Sequence, residues 1–308
     1  MMHSEDHDLR TFVSLPVTLT SMEKSMNKTL IPFAAGAVAL LALSGCSAPA
    51  AETTSETGTA SSAPAGLVSE GALTACIDPE YPPLEYYADG SGGEIIGFDA
   101  DGIRALADAW GVEAKMEVTS FDGLMPGLQA DRCDMIFGGL YESEERKAVA
   151  DSVSIMNAGP AVLAAPDVAE TLNSPEDLCG LRVATQAASS NALSVAALSD
   201  ECVADGKEAI KLTEYPKTAE TVLAVLNGKA DALVETNVAA AYMATQNEGR
   251  LAVAGSVFDP DTTFGVFFKQ GSSLVEPAQE ALKALFDDGT LVEIAEKYNL
   301  DPEIVNVY

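Results

Sequence analysis

Apolar residues fall along the chain in two alternating rhythms. The run Leu73 to Ile77 is short and continuous, as in a buried strand. After Asp99, positions Ile103, Leu106, Ala107 and Trp110 recur at helical spacing, and Gly111 closes them. Val112, Ala114, Met116 and Val118 alternate with polar residues as in a strand. Phe121, Leu124, Met125 and Leu128 return to helical spacing, with Pro126 tolerated near the start. Asp134 to Phe137 reads as a buried strand ending at Gly138-Gly139. This β-α-β-α-β order predicts a parallel sheet with covered faces.

The rhythm then repeats. Strands are predicted at Pro160 to Ala164, Leu181 to Thr185, Ile210 to Thr213, Ala232 to Val234 and Phe264 to Phe268. Helices are predicted around Asn191 to Leu198, Ala219 to Leu226, Val238 to Thr245, Val275 to Phe286 and Leu291 to Tyr298.

The N-terminal part follows a different logic. Lys24 and Lys28 precede an apolar run from Leu30 to Leu43, followed by Ser44-Gly45-Cys46. The run is short for a membrane span and has the flanks of a signal peptide. Small residues before a cysteine resemble a bacterial lipobox, in which the cysteine becomes the lipidated first residue. Residues 1–45 are therefore read as leader and lipoprotein signal peptide, and Cys46 as the lipidation site. Met26 is a better start than Met1, because Glu5, Asp6, Asp8 and Glu23 do not suit a positive n-region. Residues 46–66 are rich in Ala, Ser, Thr, Pro, Glu and Gly without apolar period, and read as a flexible tether. The expected location is extracytoplasmic, on the outer face of the cytoplasmic membrane or in the periplasm.

Composition narrows the chemistry. A chain of 308 residues can form two lobes with separate cores. A net charge of −30 argues against nucleic acid and against anionic lipid bound by charge. Both histidines, His3 and His7, lie in the leader, so the mature chain would have none. That excludes Ser-His-Asp and Cys-His catalysis and histidine metal sites, and no cofactor or metal is expected.

Seven short segments then carry a resemblance. They are Tyr81-Pro82-Pro83-Leu84-Glu85-Tyr86, Gly97-Phe98-Asp99-Ala100-Asp101, Phe121-Asp122-Gly123-Leu124-Met125-Pro126-Gly127-Leu128 and Ser143-Glu144-Glu145-Arg146. Asp177-Leu178-Cys179-Gly180, Gly228-Lys229-Ala230-Asp231-Ala232 and Asp288-Gly289-Thr290-Leu291 follow. In this order and spacing, the chain from about Leu73 to Leu300 resembles bacterial solute-binding proteins of family 3, the polar amino-acid binders. The resemblance implies an α/β, two-lobed periplasmic-binding-protein-like fold of type II. Each lobe would be a mostly parallel sheet flanked by helices, and two hinge strands would join them. Lobe 1 would span 67–158 plus 263–308, and lobe 2 163–254. The second crossover would lie near Gly255 to Asp261.

By the same resemblance, Arg146 grips the ligand's α-carboxylate, a role that suits the bidentate fork of a guanidinium. Read from spacing alone, Arg146 is instead a solvated arginine paired with Glu142. Gly138, Gly139 and Tyr141 match the stretch whose backbone contacts the ligand. Tyr81 and Phe121 match aromatic positions that sandwich its side chain. Asp78 matches a position that in some members contacts a polar or cationic side chain, with Glu80 two residues on. In lobe 2, Gln186, Ser189 and Ser190 match a loop before a helix whose amides bind an anion, although Ala188 stands where the family prefers glycine. Thr236 is the main departure, because the family commonly has aspartate there for the α-ammonium. Either Glu235 or another acid compensates, or the ligand is not a standard α-amino acid. The acids at Asp78, Glu80 and Glu235 favour an amine-bearing ligand. Asp231 matches a structural position.

Beyond Cys46, four cysteines remain, an even number that suggests disulfides in an exported protein. Three pairings are open. Cys179–Cys202, closing a short loop, and Cys76–Cys133, within lobe 1, are favoured. Together these readings predict a non-enzymatic substrate-binding lipoprotein of an ABC importer. It would be monomeric, with a small amino-acid-like ligand and an ABC permease as partners. The alternatives are a prephenate-like dehydratase, using Glu142 or Glu235 as acid or base, and a sensory solute-binding subunit.

Overall fold

The structure, a computed structural model, describes residues 63–308 except 256 and 260; the leader, Cys46 and most of the tether lie outside the described residues. Two five-stranded sheets organise these residues. In the first, the order is Glu113–Val118, Ala72–Ile77, Met135–Ile136, Thr262–Lys269 and Ala150–Ala158. In the second, it is Lys211–Tyr215, Arg182–Gln186, Ala232–Thr236, Pro160–Ala164 and Ala252–Val253. The two orders follow one plan. The first three strands of each sheet pair in parallel, and the last two join antiparallel. Each sheet is thus mixed, where the sequence pattern predicts a mostly parallel one. The antiparallel strands are those that carry the chain between lobes, and they arrive without the crossover helix that parallel neighbours need. Ala150–Ala158 passes into Pro160–Ala164 with Gly159 alone between them.

Helix Phe98–Trp110 shows how the apolar rhythm becomes a core. Phe98, Ile103, Leu106, Ala107 and Trp110 are buried in the first lobe, and Gly111 ends the helix in the left-handed conformation, at φ 66°. Burying a side chain such as Ile103 or Leu106 contributes roughly 1.5–3 kcal/mol. Helices Val275–Asp287 and Thr290–Lys297 bury Ala278, Leu282, Leu291 and Ala295 in the same cluster.

Both favoured disulfides are present. Cys76–Cys133 joins the first strand to the turn before Met135, at a Cα separation of 5.5 Å. Cys179–Cys202 joins a loop to helix Ser190–Ala204, at 5.7 Å. Closing loops of these lengths removes unfolded-state entropy worth about 3–4 kcal/mol each.

Candidate functional site

The first-lobe wall is built from three turns. Ser143 accepts the Arg146 N–H at 3.4 Å and starts the short helix Glu144–Lys147, which carries the arginine. Arg146 Nη1 donates to the Tyr141 carbonyl at 3.0 Å, and the guanidinium carbon stands 5.9 Å from the Phe121 ring centroid. Among the described residues no carboxylate pairs with it. Burial pulls its pKa down to about 10, so it remains a full cation at neutral pH. Glu142, the partner that spacing alone allows, is held elsewhere. The hydroxyls of Ser152, Ser154 and Thr263 each donate to its carboxylate at 2.5 Å. An arginine fixed by a carbonyl and a ring, with no counter-ion, keeps its fork for an incoming anion.

Tyr81, Gly139 and Tyr141 complete this wall. Gly139 has φ 59°, and a Cβ on it would stand 2.8 Å from the Tyr81 ring, so only glycine lets the backbone pass. Tyr141 is buried and stacks on Phe264 with centroids 5.2 Å apart. Its hydroxyl has no hydrogen bond among the described residues, although Asn191 lies close enough to lower its raised pKa. Gly138 is not among the lining residues. It faces backward, where a Cβ would stand 3.1 Å from Glu85 Oε1.

The second-lobe wall is polar. Gln186 ends a strand, and Ser189 caps helix Ser190–Ala204 by accepting the Ala192 N–H at 3.1 Å. The Ser189 hydroxyl also donates to the Gln186 carbonyl at 2.6 Å, so this side chain is occupied and the loop offers its backbone. Ala188 adopts φ 61°, keeping the left-handed geometry that glycine would supply, for about 1–2 kcal/mol of strain. The strand Ala232–Thr236 extends two residues beyond its predicted end and delivers Glu235 and Thr236, both buried. Glu235 accepts from the Tyr81 hydroxyl at 2.8 Å and from the Thr236 N–H at 2.9 Å, and Thr218 Oγ1 lies 3.4 Å away. Burial raises its pKa against these hydrogen bonds. Thr236 Oγ1 caps helix Asn237–Gln246 through the Ala239 N–H and lies 2.6 Å from the Tyr81 hydroxyl. Threonine here is a cap, and the carboxylate next to it belongs to Glu235.

Tyr81, Phe121, Gly139, Tyr141, Arg146, Gln186, Ser189, Ser190, Glu235 and Thr236 thus line one cavity of about 20 Å³. Asn191, buried in the first turn of its helix, lines it too and was missed. Its signal was its place two residues after the Ser189 cap. Asp78 lies outside this cavity, in an adjoining groove of about 430 Å³ that begins where Ser120 and Asp122 flank Phe121 and Ala187 follows Gln186. Burial and then the charge of Glu80 push the Asp78 pKa up to about 6. Glu80 itself pairs with Lys217 across the lobes at 2.6 Å. Asp231 is structural, receiving the Arg182 N–H and guanidinium at 2.8 and 3.1 Å.

Two lobes of mixed α/β sheet, facing each other across a cleft with a cation on one wall and an acid on the other, define a two-lobed solute-binding protein. Residues 73–301 match the model of the bacterial extracellular solute-binding proteins, family 3, and the chain belongs to that family. It is similar to the arginine-binding protein ArgT of Corynebacterium glutamicum, at 32% identity over 79% of each chain. It is also similar to the L-cystine-binding protein TcyJ of Escherichia coli, at 25% identity over 74% of this chain and 82% of the other. Among solved structures, an ancestral arginine-binding protein bound to arginine matches with TM-score 0.67 and 27% identity, over 74% of this chain and 98% of that one. The two curated relatives are named as binding proteins.

Proposed function

We propose that the chain is the extracytoplasmic substrate-binding lipoprotein of an ABC importer and that it captures a cationic α-amino acid between its lobes. One observation carries the reading: Arg146 and Glu235, from opposite lobes, line the same small cavity. The cavity has room for about one water, so a zwitterionic amino acid would enter as the lobes part and would then meet both walls, carboxylate to Arg146 and ammonium to Glu235. Its side chain then leads past Phe121 toward Asp78, where a carboxylate above its ordinary pKa gains by ionising against a cation. Similarity to arginine-binding proteins supports the same ligand class. Lobe 1 is taken as 67–158 plus 263–308 and lobe 2 as 163–254, acting as a monomer. Residues 1–45 direct export, Cys46 carries the lipid and 46–66 tether the lobes to the membrane. Replacing Cys46 by alanine should release the protein from the membrane fraction.

The test is calorimetry with L-arginine, L-citrulline and 5-guanidinopentanoate, the des-amino analogue of arginine. Arginine should bind at least about tenfold more tightly than either, because each analogue leaves one buried acid without a cationic partner. Arginine affinity should rise from pH 5 to 7 as Asp78 ionises, and Asp78→Asn should flatten that rise. Equal binding of arginine and its des-amino analogue would show that no residue reads the amine.

A further inference from the structure

Behind the Gly138–Gly139 backbone, away from the cleft, lie two carboxyl groups that ligand capture does not use. Glu85, on the strand Glu85–Tyr87, is 1% exposed; Asp99, in the first turn of helix Phe98–Trp110, is 2% exposed. The chain path forces them together. The N–H groups of Phe98 and Asp99 donate to the carbonyls of Pro83 and Leu84 at 3.2 and 2.9 Å. Gly97 passes so close that a Cβ there would stand 2.1 Å from the Leu84 oxygen. Glu85 Oε2 and Asp99 Oδ2 are both buried, and neither has an N–H or O–H partner among the described residues. Two ionised carboxylates only accept hydrogen bonds and repel each other in such a site. A single proton between them removes both penalties.

We propose that Glu85 and Asp99 hold one proton between them as an acid–carboxylate pair, and that this pair is a positioning device for the Gly138–Gly139 floor of the cleft. The geometry gives the floor little freedom. A Cβ on Gly138 would stand 3.1 Å from Glu85 Oε1, and a Cβ on Gly139 would stand 2.8 Å from the Tyr81 ring. The hydrogen bond from Glu85, and after it the Gly139 N–H, favours the charged form of Asp99, which sets the direction of sharing: proton on Glu85, charge on Asp99. Burial first, then the Asp99 charge, raises Glu85 well above the ordinary carboxylate range, and burial raises Asp99 to about 6. The charge of Asp78 raises Glu85 further. Both shifts are upward, so the folded chain retains protons that the unfolded chain has released. The pair's contribution to stability is full below about pH 4. It declines as pH rises through about 6, and again at the higher step where Glu85 ionises.

Carboxyl-carbon and amide NMR of the isotopically labelled chain, from pH 4 to 10, tests this without any ligand. At pH 7 Glu85 Cδ should keep the shift of a neutral acid while Asp99 Cγ reads as ionised. The pair should release its protons in two steps, and the Gly138 and Gly139 amides should inflect with them. In Glu85→Gln, which keeps a donor toward Asp99, the upper step and its Gly138 inflection should vanish. Glu85 titrating with surface glutamates near pH 4.3 would overturn the shared proton. Glycine amides that ignore the pair's steps would overturn the positioning role, and the wild-type measurement alone decides both.

Discussion

The two walls of the cleft solve the same problem in different materials. The first lobe offers a fixed cation between aromatic rings, its guanidinium braced by the Tyr141 carbonyl and the Phe121 face. The second lobe offers a carboxylate, hydroxyls and two capped helix starts, at Ser189 and Thr236. Arg146 stays charged at any neutral pH, whereas Glu235 sits raised by burial and gains from a partner that favours its charge. The difference teaches where closure comes from. On the proposed function, a ligand with an anionic and a cationic end would be attracted by both walls and would add to the Tyr81–Glu235 contact that already joins them, whereas a ligand with one end would satisfy one lobe only.

The largest effect should come from removing the fixed charge. Truncating a buried charge partner costs about 2–5 kcal/mol. Arg146→Ala should therefore weaken L-arginine binding by at least about thirtyfold with an unchanged melting curve. Arg146→Lys should recover little, since an ammonium lacks the planar fork. Calorimetry that finds unchanged affinity in Arg146→Ala would remove Arg146 from the ligand and leave the first wall purely aromatic, while unchanged affinity in Arg146→Lys would show that charge alone, without the planar fork, is enough.

A smaller and more selective effect is expected at the opposite wall. Glu235→Gln keeps the side chain's size and an acceptor for the Tyr81 hydroxyl. It should cost about tenfold for arginine and nothing for its des-amino analogue. Stability should move the other way. Because the folded pKa of Glu235 is raised, its ionised form opposes folding once pH exceeds that value, and the penalty is absent below about pH 4. The variant should thus melt higher than wild type at pH 7 and alike at pH 4. Scanning calorimetry at the two pH values separates this from a general packing change, which would shift both melts equally.

Much of this contrast was legible in the residues before any coordinates. The helical spacing of Ile103, Leu106 and Trp110 marks a buried face because one stripe of a helix must meet the core. The strand Ala150–Ala158 was not legible. It pairs along its length with Thr262–Lys269 across more than a hundred residues of sequence, a partner that no local period encodes. The same holds for the hairpin strands Glu80–Tyr81 and Glu85–Tyr87, too short to show alternation. At the site, the resemblance led to Arg146, Tyr81 and Thr236, but the turn of Gly138 away from the cavity and the displacement of Asp78 into a neighbouring groove depend on backbone direction. Asn191 escaped because a polar residue in a first helical turn is normally solvated, whereas here it is buried and close enough to the facing lobe's Tyr141 to lower the pKa of its hydroxyl.

The smallest effect should lie at the rim, where the two walls touch without a ligand's help. Lys217 of the second lobe reaches Glu80 of the first at 2.6 Å, but both side chains are about half exposed. Solvent and salt screen such a pair, and the side chains lose rotamer freedom to form it, so net attraction is slight. Lys217→Ala should change L-arginine affinity by less than about threefold at low salt, and the change should fade as ionic strength rises past roughly 0.5 M. Its clearer signature is indirect. Lys217 lowers the Asp78 pKa while Glu80 raises it, so removing the lysine should push Asp78 still higher. The pH midpoint at which arginine affinity rises should then move upward from about 6, as titrations at several pH values would show. A large, salt-insensitive loss would give the rim contact the closing role assigned here to Arg146 and Glu235, and the contrast between the walls would no longer explain how the lobes come together.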